Sequence, residues 1–186
     1  KVGPHLRYGL ARFVTADTRT ADLDPSSVDA IVTSPPYGNA NDYHLYHRFR
    51  LLWLGFDPKG LARVEIGSHL GHQRHSSGFD AYLQDLAPCL AFMNRVLRSH
   101  RYAALVLGDA VHDGRLHHAA ESVAQVAEDA GLSTVKIIER TIHRTRRSFL
   151  AAGRRATSEK ILLLRKPSGA TILDLLTSQA SLTQAE

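Results

Sequence analysis

Ser34-Pro35-Pro36-Tyr37 is the stretch of this sequence whose residue types and order could do chemistry. It closes a short apolar run, VDAIVTS over 28–34, which predicts a buried strand stopped abruptly by the proline pair. Ser34 offers a hydroxyl acceptor. The prolines lack N–H groups and restrict the turn, so a backbone carbonyl can be fixed pointing into a site. Tyr37 adds a flat aromatic face. Acceptors beside an aromatic ring suit the exocyclic amine of cytosine or adenine, whose lone pair is delocalised and poorly nucleophilic. Methylating such an amine requires acceptors that favour a tetrahedral nitrogen in the transition state. It also requires the base to leave the stack and lie against something flat. The bland alternative is a rigid turn leaving a strand. An Asp and an apolar strand ahead of the motif, and a helical pattern behind it, weigh against that.

The elements that must position this loop follow along the chain. Segment 45–56, LYHRFRLLWLGF, has helical spacing with Leu45, Phe49, Leu52 and Trp53 on one side, and Gly55 and Pro58 close it. Residues 59–78 are rich in Gly, His and Ser and predict a mobile polar loop. From Asp80 the recurrence of Tyr82, Leu83, Leu86, Leu90, Met93 and Leu97 predicts a long amphipathic helix. Pro88 inside it predicts a kink or a later start. YAALVL over 102–107 is a second buried strand ending at Gly108-Asp109, and a helix over about 116–130 follows, capped by Gly131. TVKIIERTI over 134–142 and EKILLLR over 159–165 are two further strands. Alternating strands and helices predict an α/β fold with a mostly parallel sheet and helices on its faces. The last strand pair lacks a crossover helix and should be antiparallel. Ligands of such sheets bind at strand C-terminal ends, where the Ser34–Tyr37 loop lies.

Other residues invite a role beside a bland reading. Asn39, Asn41, Asp42 and Tyr43 follow the loop directly and could line a base pocket, although Asp42 could equally cap the next helix. His143, Arg144, Arg146, Arg147, Arg154 and Arg155 crowd one stretch. Arg146 and Arg147 could contact phosphates, or could simply be solvated. His69, His72 and His75 have short spacing, but no acid or cysteine nearby completes a zinc set, so no metal is expected. Asp109 could face the site or serve a turn.

VDAIVTSPPY over 28–37 resembles motif IV of the DNA amino-methyltransferases that modify cytosine N4 or adenine N6. GNANDYHLYHRFRLLWLG, the helix ending in NRVLRS, the strand reaching LGD and the closing SEKILLLRKP are similar to bacterial and archaeal modification methylases of the TSPPY form. The resemblance covers roughly residues 13–167 and implies a Rossmann-like methyltransferase sheet, with a methyltransferase domain over 1–167 and a tail over 168–186. It implies that Ser34 and the Pro35–Pro36 backbone hold the target amine while Tyr37 stacks on the flipped base. It further implies S-adenosylmethionine as methyl donor and DNA as partner. SPPY is the form usual for N4-cytosine enzymes. Thr15-Ala16-Asp17 resembles the Gly-Asp ahead of motif IV in relatives, with Ala in place of Gly. Asp17, Thr33 and Ser34 are the candidate cofactor contacts, and a loop-capping Asp17 is the alternative.

One expected piece is missing from the sequence. The family's glycine-rich FxGxG turn is absent; the 33 residues before Ser34 leave too little room for it, and 168–186 contains only Gly169. With Lys at position 1, this predicts a fragment, a partner chain that completes the cofactor site, or an inactive relative.

Bulk properties agree with a single α/β domain. The 186 residues suffice for a core, and 44% hydrophobic content argues against wholesale disorder. A lone cysteine, Cys89, fits a reducing cytoplasm. No run of about 18 apolar residues or signal peptide is visible. Net charge +5 and eleven histidines favour a polyanionic partner. The expectation is methyl transfer to an exocyclic amine in DNA. The rivals are an RNA base methyltransferase and a non-catalytic nucleic-acid-binding relative.

Overall fold

The computed structural model describes residues 9–38, 43–67, 78–112, 114–141 and 158–168. The strand predicted before the proline pair is β1, Val28–Thr33, but the expectation that it is buried is corrected. Among the described residues β1 has one neighbouring strand, and its residues are either exposed or partly buried. Where one helix is expected over 45–56, two short ones form, α1 (Tyr43–Tyr46) and α2 (Arg48–Trp53). Their predicted apolar side is not buried: Phe49 is 84% and Trp53 91% exposed. Helical spacing shows that such a face exists, and nothing among the described residues covers it.

The reading of 59–78 as loop is corrected over its first part by α3, Pro58–Val64. Asp57 is its N-cap and accepts from the backbone N–H of Lys59 at 2.9 Å and of Gly60 at 2.8 Å. Pro58 stands at the helix start, where a missing N–H costs nothing. The remainder, 68–77 with His69, His72 and His75, lies outside the described residues.

The long amphipathic helix is α4, Gly78–Val96, beginning two residues ahead of Asp80 and continuous through Pro88. Pro88 and Gln84 are both exposed, so the carbonyl that loses its partner faces water. Strand β2, Leu97–Leu107, is longer than expected. Its regular pairing with β1 begins only at Tyr102, opposite Ala30; the lead-in contains His100 at φ 64°. A small hairpin, β3 (Ala110–His112) and β4 (Arg115–His117), turns through Gly114 at φ 73°. It occupies chain assigned in part to the next helix, so α5 spans only Ala119–Asp129. Gly131 ends that helix at φ 84°, as the sequence predicts. Strands β5 (Ser133–Thr141) and β6 (Ser158–Arg165) complete the main sheet.

Sheet order is β1-β2-β6-β5. Strands β1 and β2 are parallel, and β6 is antiparallel to both β2 and β5. Three strands therefore run one way, with β6 inserted against them. The C-terminal ends of β1, β2 and β5 and the start of β6 share one sheet edge.

The core lies on one face. Ala103, Leu105 and Leu107 of β2 and Leu162 and Leu164 of β6 are buried with Tyr82, Leu86, Leu90 and Met93 of α4 and Val123 and Ala127 of α5. Among the described residues, the opposite face is open at β1, where Val32 is 81% exposed. The expectation of helices on both faces is corrected to that extent. No described helix is long and apolar enough to cross a membrane.

Candidate active site

β1 stops because Pro35 and Pro36 cannot donate to a ladder. This delivers Ser34 to the surface and Tyr37 into a half-buried position beside the end of β2. Two glycines admit the aromatic ring and the turn that follows it. A Cβ on Gly108 would stand 3.0 Å from both Cδ2 and Cε2 of Tyr37. A Cβ on Gly38 would meet Tyr82 Cδ1 at 2.8 Å and Phe79 Cε2 at 3.0 Å. The Gly38 distance is shorter than real side chains show, so a residue larger than Gly there must displace Tyr82. At Gly108 the fit is tight, and the Tyr37 ring would have to give by a few tenths of an ångström.

The Tyr37 phenol donates to Glu159 Oε1 at 2.7 Å, bridging 122 positions of sequence. Arg140, the cross-strand partner of Glu159, donates to Oε2. Burial, followed by the Glu159 hydrogen bond and charge, pushes the Tyr37 phenol up to about 12, with Ser34 acting in the opposite sense. Tyr37 is thus neutral at physiological pH, with its hydroxyl held by Glu159 and one edge of its ring beside Gly108.

Tyr43 opens α1, and its backbone N–H donates to Glu65 Oε1 at 2.6 Å. Glu65 also takes the backbone N–H of His44 at 3.2 Å and pairs with the buried His44 Nδ1 at 2.6 Å. Glu65, at the end of α3, thus satisfies the first two backbone N–H groups of α1. The Tyr43 phenol is raised by burial and then by the Glu65 charge. Asn39, Asn41, Asp42, Arg146 and Arg147 lie outside the described residues.

Asp17 stands apart from the loop in its bonding. Arg19 donates to both its oxygens at 2.6–3.1 Å and reaches Val64 O at 2.7 Å. The Arg19 hydrogen bond holds the Asp17 carboxyl below its usual range. Thr33, the last residue of β1, pairs with Leu105.

Asp109 serves the next element. Its Oδ2 lies 3.0 Å from His118 Nδ1 and its Oδ1 3.3 Å from Ala119 N, so it caps α5 from a distance. Asp109, His118 and Glu121 have metal-ligating atoms within 4.8 Å of one another. The cluster already has a cation: Lys160 Nζ is 2.6 Å from Glu121 Oε1 and 3.7 Å from Asp109 Oδ1. Sequence reasoning missed Glu159, Glu65 and Lys160, which lie in segments read as plain strand or loop.

A nucleotide cofactor such as S-adenosylmethionine needs backbone that it can approach closely, usually at glycine. The glycines around this site are closed by the protein's own rings: Gly38 by Tyr82 and Phe79, Gly67 by Tyr82, and Gly108 by Tyr37. The described residues therefore do not by themselves fit the cofactor.

No protein-family model matches the chain, and no curated protein matches it significantly. Solved structures do. A provisionally named DNA modification methylase of Thermus thermophilus superposes with TM-score 0.52 at 21% identity, over 83% of this chain and 52% of that one. The same protein complexed with S-adenosyl-L-methionine gives TM-score 0.53 at 22% identity, over 82% and 52%. The chain thus spans about half the length of these structures. Its sheet, with β6 inserted against three strands that run one way, has the Rossmann-like fold of these structures.

Proposed function

We propose that this protein transfers a methyl group from S-adenosylmethionine to an exocyclic amino group of a flipped base in DNA, with cytosine N4 favoured over adenine N6. The observation that carries this reading is Ser34-Pro35-Pro36-Tyr37 leaving the C-terminal end of β1 beside Gly108 on a methyltransferase-type sheet. Ser34 Oγ and a proline carbonyl accept the amine N–H groups and draw nitrogen out of conjugation. Tyr37 offers the ring on which the extruded base stacks. The SPPY form favours cytosine. Asn39, Asp42 and Tyr43 line the base pocket, and Arg146 and Arg147 hold phosphates.

Asp17, Thr33 and Ser34 contribute to the cofactor side, and a further segment or second chain supplies the glycine cradle. One observation favours a second reading, a nucleic-acid-binding relative without activity: the described glycines are closed against the protein's own rings.

Tritium transfer from S-adenosylmethionine to DNA, RNA and free nucleosides tests these readings in the protein as its natural reading frame encodes it. Mass spectrometry then identifies the product nucleoside. N4-methylcytosine in DNA is the expected product, and Ser34→Ala should reduce transfer about a hundredfold or more. Methylated RNA alone would shift the substrate. Nucleic-acid binding without transfer would establish the second reading.

A further inference from the structure

Glu159 is the second residue of β6, whose reversed insertion between β2 and β5 decides where it lies. A strand parallel to β1 would begin at the far edge of the sheet. Because β6 runs the other way, it begins where β1 and β2 end, and residue 159 arrives beside residue 37.

Both carboxylate oxygens of Glu159 are used. Oε1 accepts the Tyr37 phenol at 2.7 Å, and Oε2 accepts from Arg140. The Glu159 side chain is 16% exposed and that of Arg140 is 58% exposed. The Arg140 pair is therefore largely screened by water, whereas the phenol bond is shielded. An ordinary cross-strand ion pair at a sheet edge would not direct one oxygen at an aromatic ring on another element. Nor would it set a glycine tightly against that ring's flank, as Gly108 is set here.

The ring of Tyr37 has only two rotatable bonds. The wall at Gly108 limits one and the hydroxyl anchor at Glu159 limits the other. A flat ring held this way loses no rotamer freedom when a planar group settles on it.

We propose that Glu159 is a positioning residue: its carboxylate, oriented by Arg140, locks the Tyr37 ring into one orientation before the substrate base arrives. This rests on the reading of Tyr37 as the stacking surface, although the tether itself is testable without activity.

The test labels the phenol carbon of tyrosine with 13C and follows the Tyr37 resonance, identified by its loss in Tyr37→Phe. Glu159→Met, which keeps bulk and removes the acceptor, should shift and broaden it. Glu159→Gln, which keeps an acceptor oxygen, should restore most of the original shift. An unmoved resonance in Glu159→Met overturns the proposal whether or not the protein methylates anything.

In transfer assays on DNA, Glu159→Met and Tyr37→Phe should each lower kcat/KM about tenfold, the scale of one hydrogen bond to a charged group. The double variant should lose no more than either single one. Additive losses overturn the proposal. If the unsubstituted protein transfers no methyl group to DNA, the substrate reading fails and the resonance test alone decides the tether.

Discussion

The Cα of Gly108 and the ring of Tyr37 are in direct apposition, so close that a methyl on Gly108 would stand 3.0 Å from two ring carbons. The end of β2 thereby becomes the wall that orients the residue after the proline pair. Gly38, one residue along the chain, is closed in the same way by Tyr82 and Phe79.

These two glycines should respond differently to alanine. Tyr37 is half-buried on a loop and can yield, whereas Tyr82 is fully buried in the core. Gly38→Ala is expected to cost about 1–3 kcal/mol, the usual range for overpacking. Gly108→Ala should cost less and instead displace the Tyr37 hydroxyl from Glu159. Urea denaturation of both variants checks the order, and a larger loss at Gly108 would contradict it.

Exposure sets a second contrast. Leu162 is fully buried at the centre of the sheet, while Trp53 is 91% exposed on α2. Leu162→Ala should destabilise by about 2–5 kcal/mol. Trp53→Ala should stay within about 0.5 kcal/mol, as substitutions at exposed positions usually do. A large loss at Trp53 in this chain would show that its helix face is covered.

Alkaline stability follows from the buried phenols. Tyr37 is pushed up to about 12, and Tyr82 is also raised, chiefly by burial. Each phenol keeps its proton in the folded state after the unfolded chain has released it near pH 10. The unfolded state then binds fewer protons, so stability falls as pH rises. The contribution is fully present below about pH 10 and is lost through about pH 12 for Tyr37. Tyr37→Phe should flatten the decline between these limits, as thermal melts at successive pH values would reveal.

The closed glycines predict poor cofactor capture by this chain alone. S-adenosylmethionine should bind more weakly than about 100 μM, near the affinity expected of a few unsupported contacts. Calorimetry measures this directly, and low-micromolar binding would show that this chain suffices.

Much of the architecture is legible locally. β1 is visible because an apolar, β-branched run meets two prolines, and α4 because its apolar residues recur at the helical period through Pro88. The N-terminal signal of α3, Asp57 followed by Pro58, is overshadowed by the Gly, His and Ser content beyond it. Phe49 and Trp53 show the limit of periodicity: it reports that a helix has an apolar side, not that anything lies against it.

By itself, the sequence determined where the Ser34–Tyr37 loop leaves its strand and what chemistry its side chains offer, because those properties depend on neighbouring residues alone. Tertiary structure decided that β6 runs against β1, β2 and β5, that Glu159 therefore reaches Tyr37, and that Gly108 forms the ring's wall. Strand order and register depend on how distant apolar faces share one core. No local pattern specifies a partner 122 positions away.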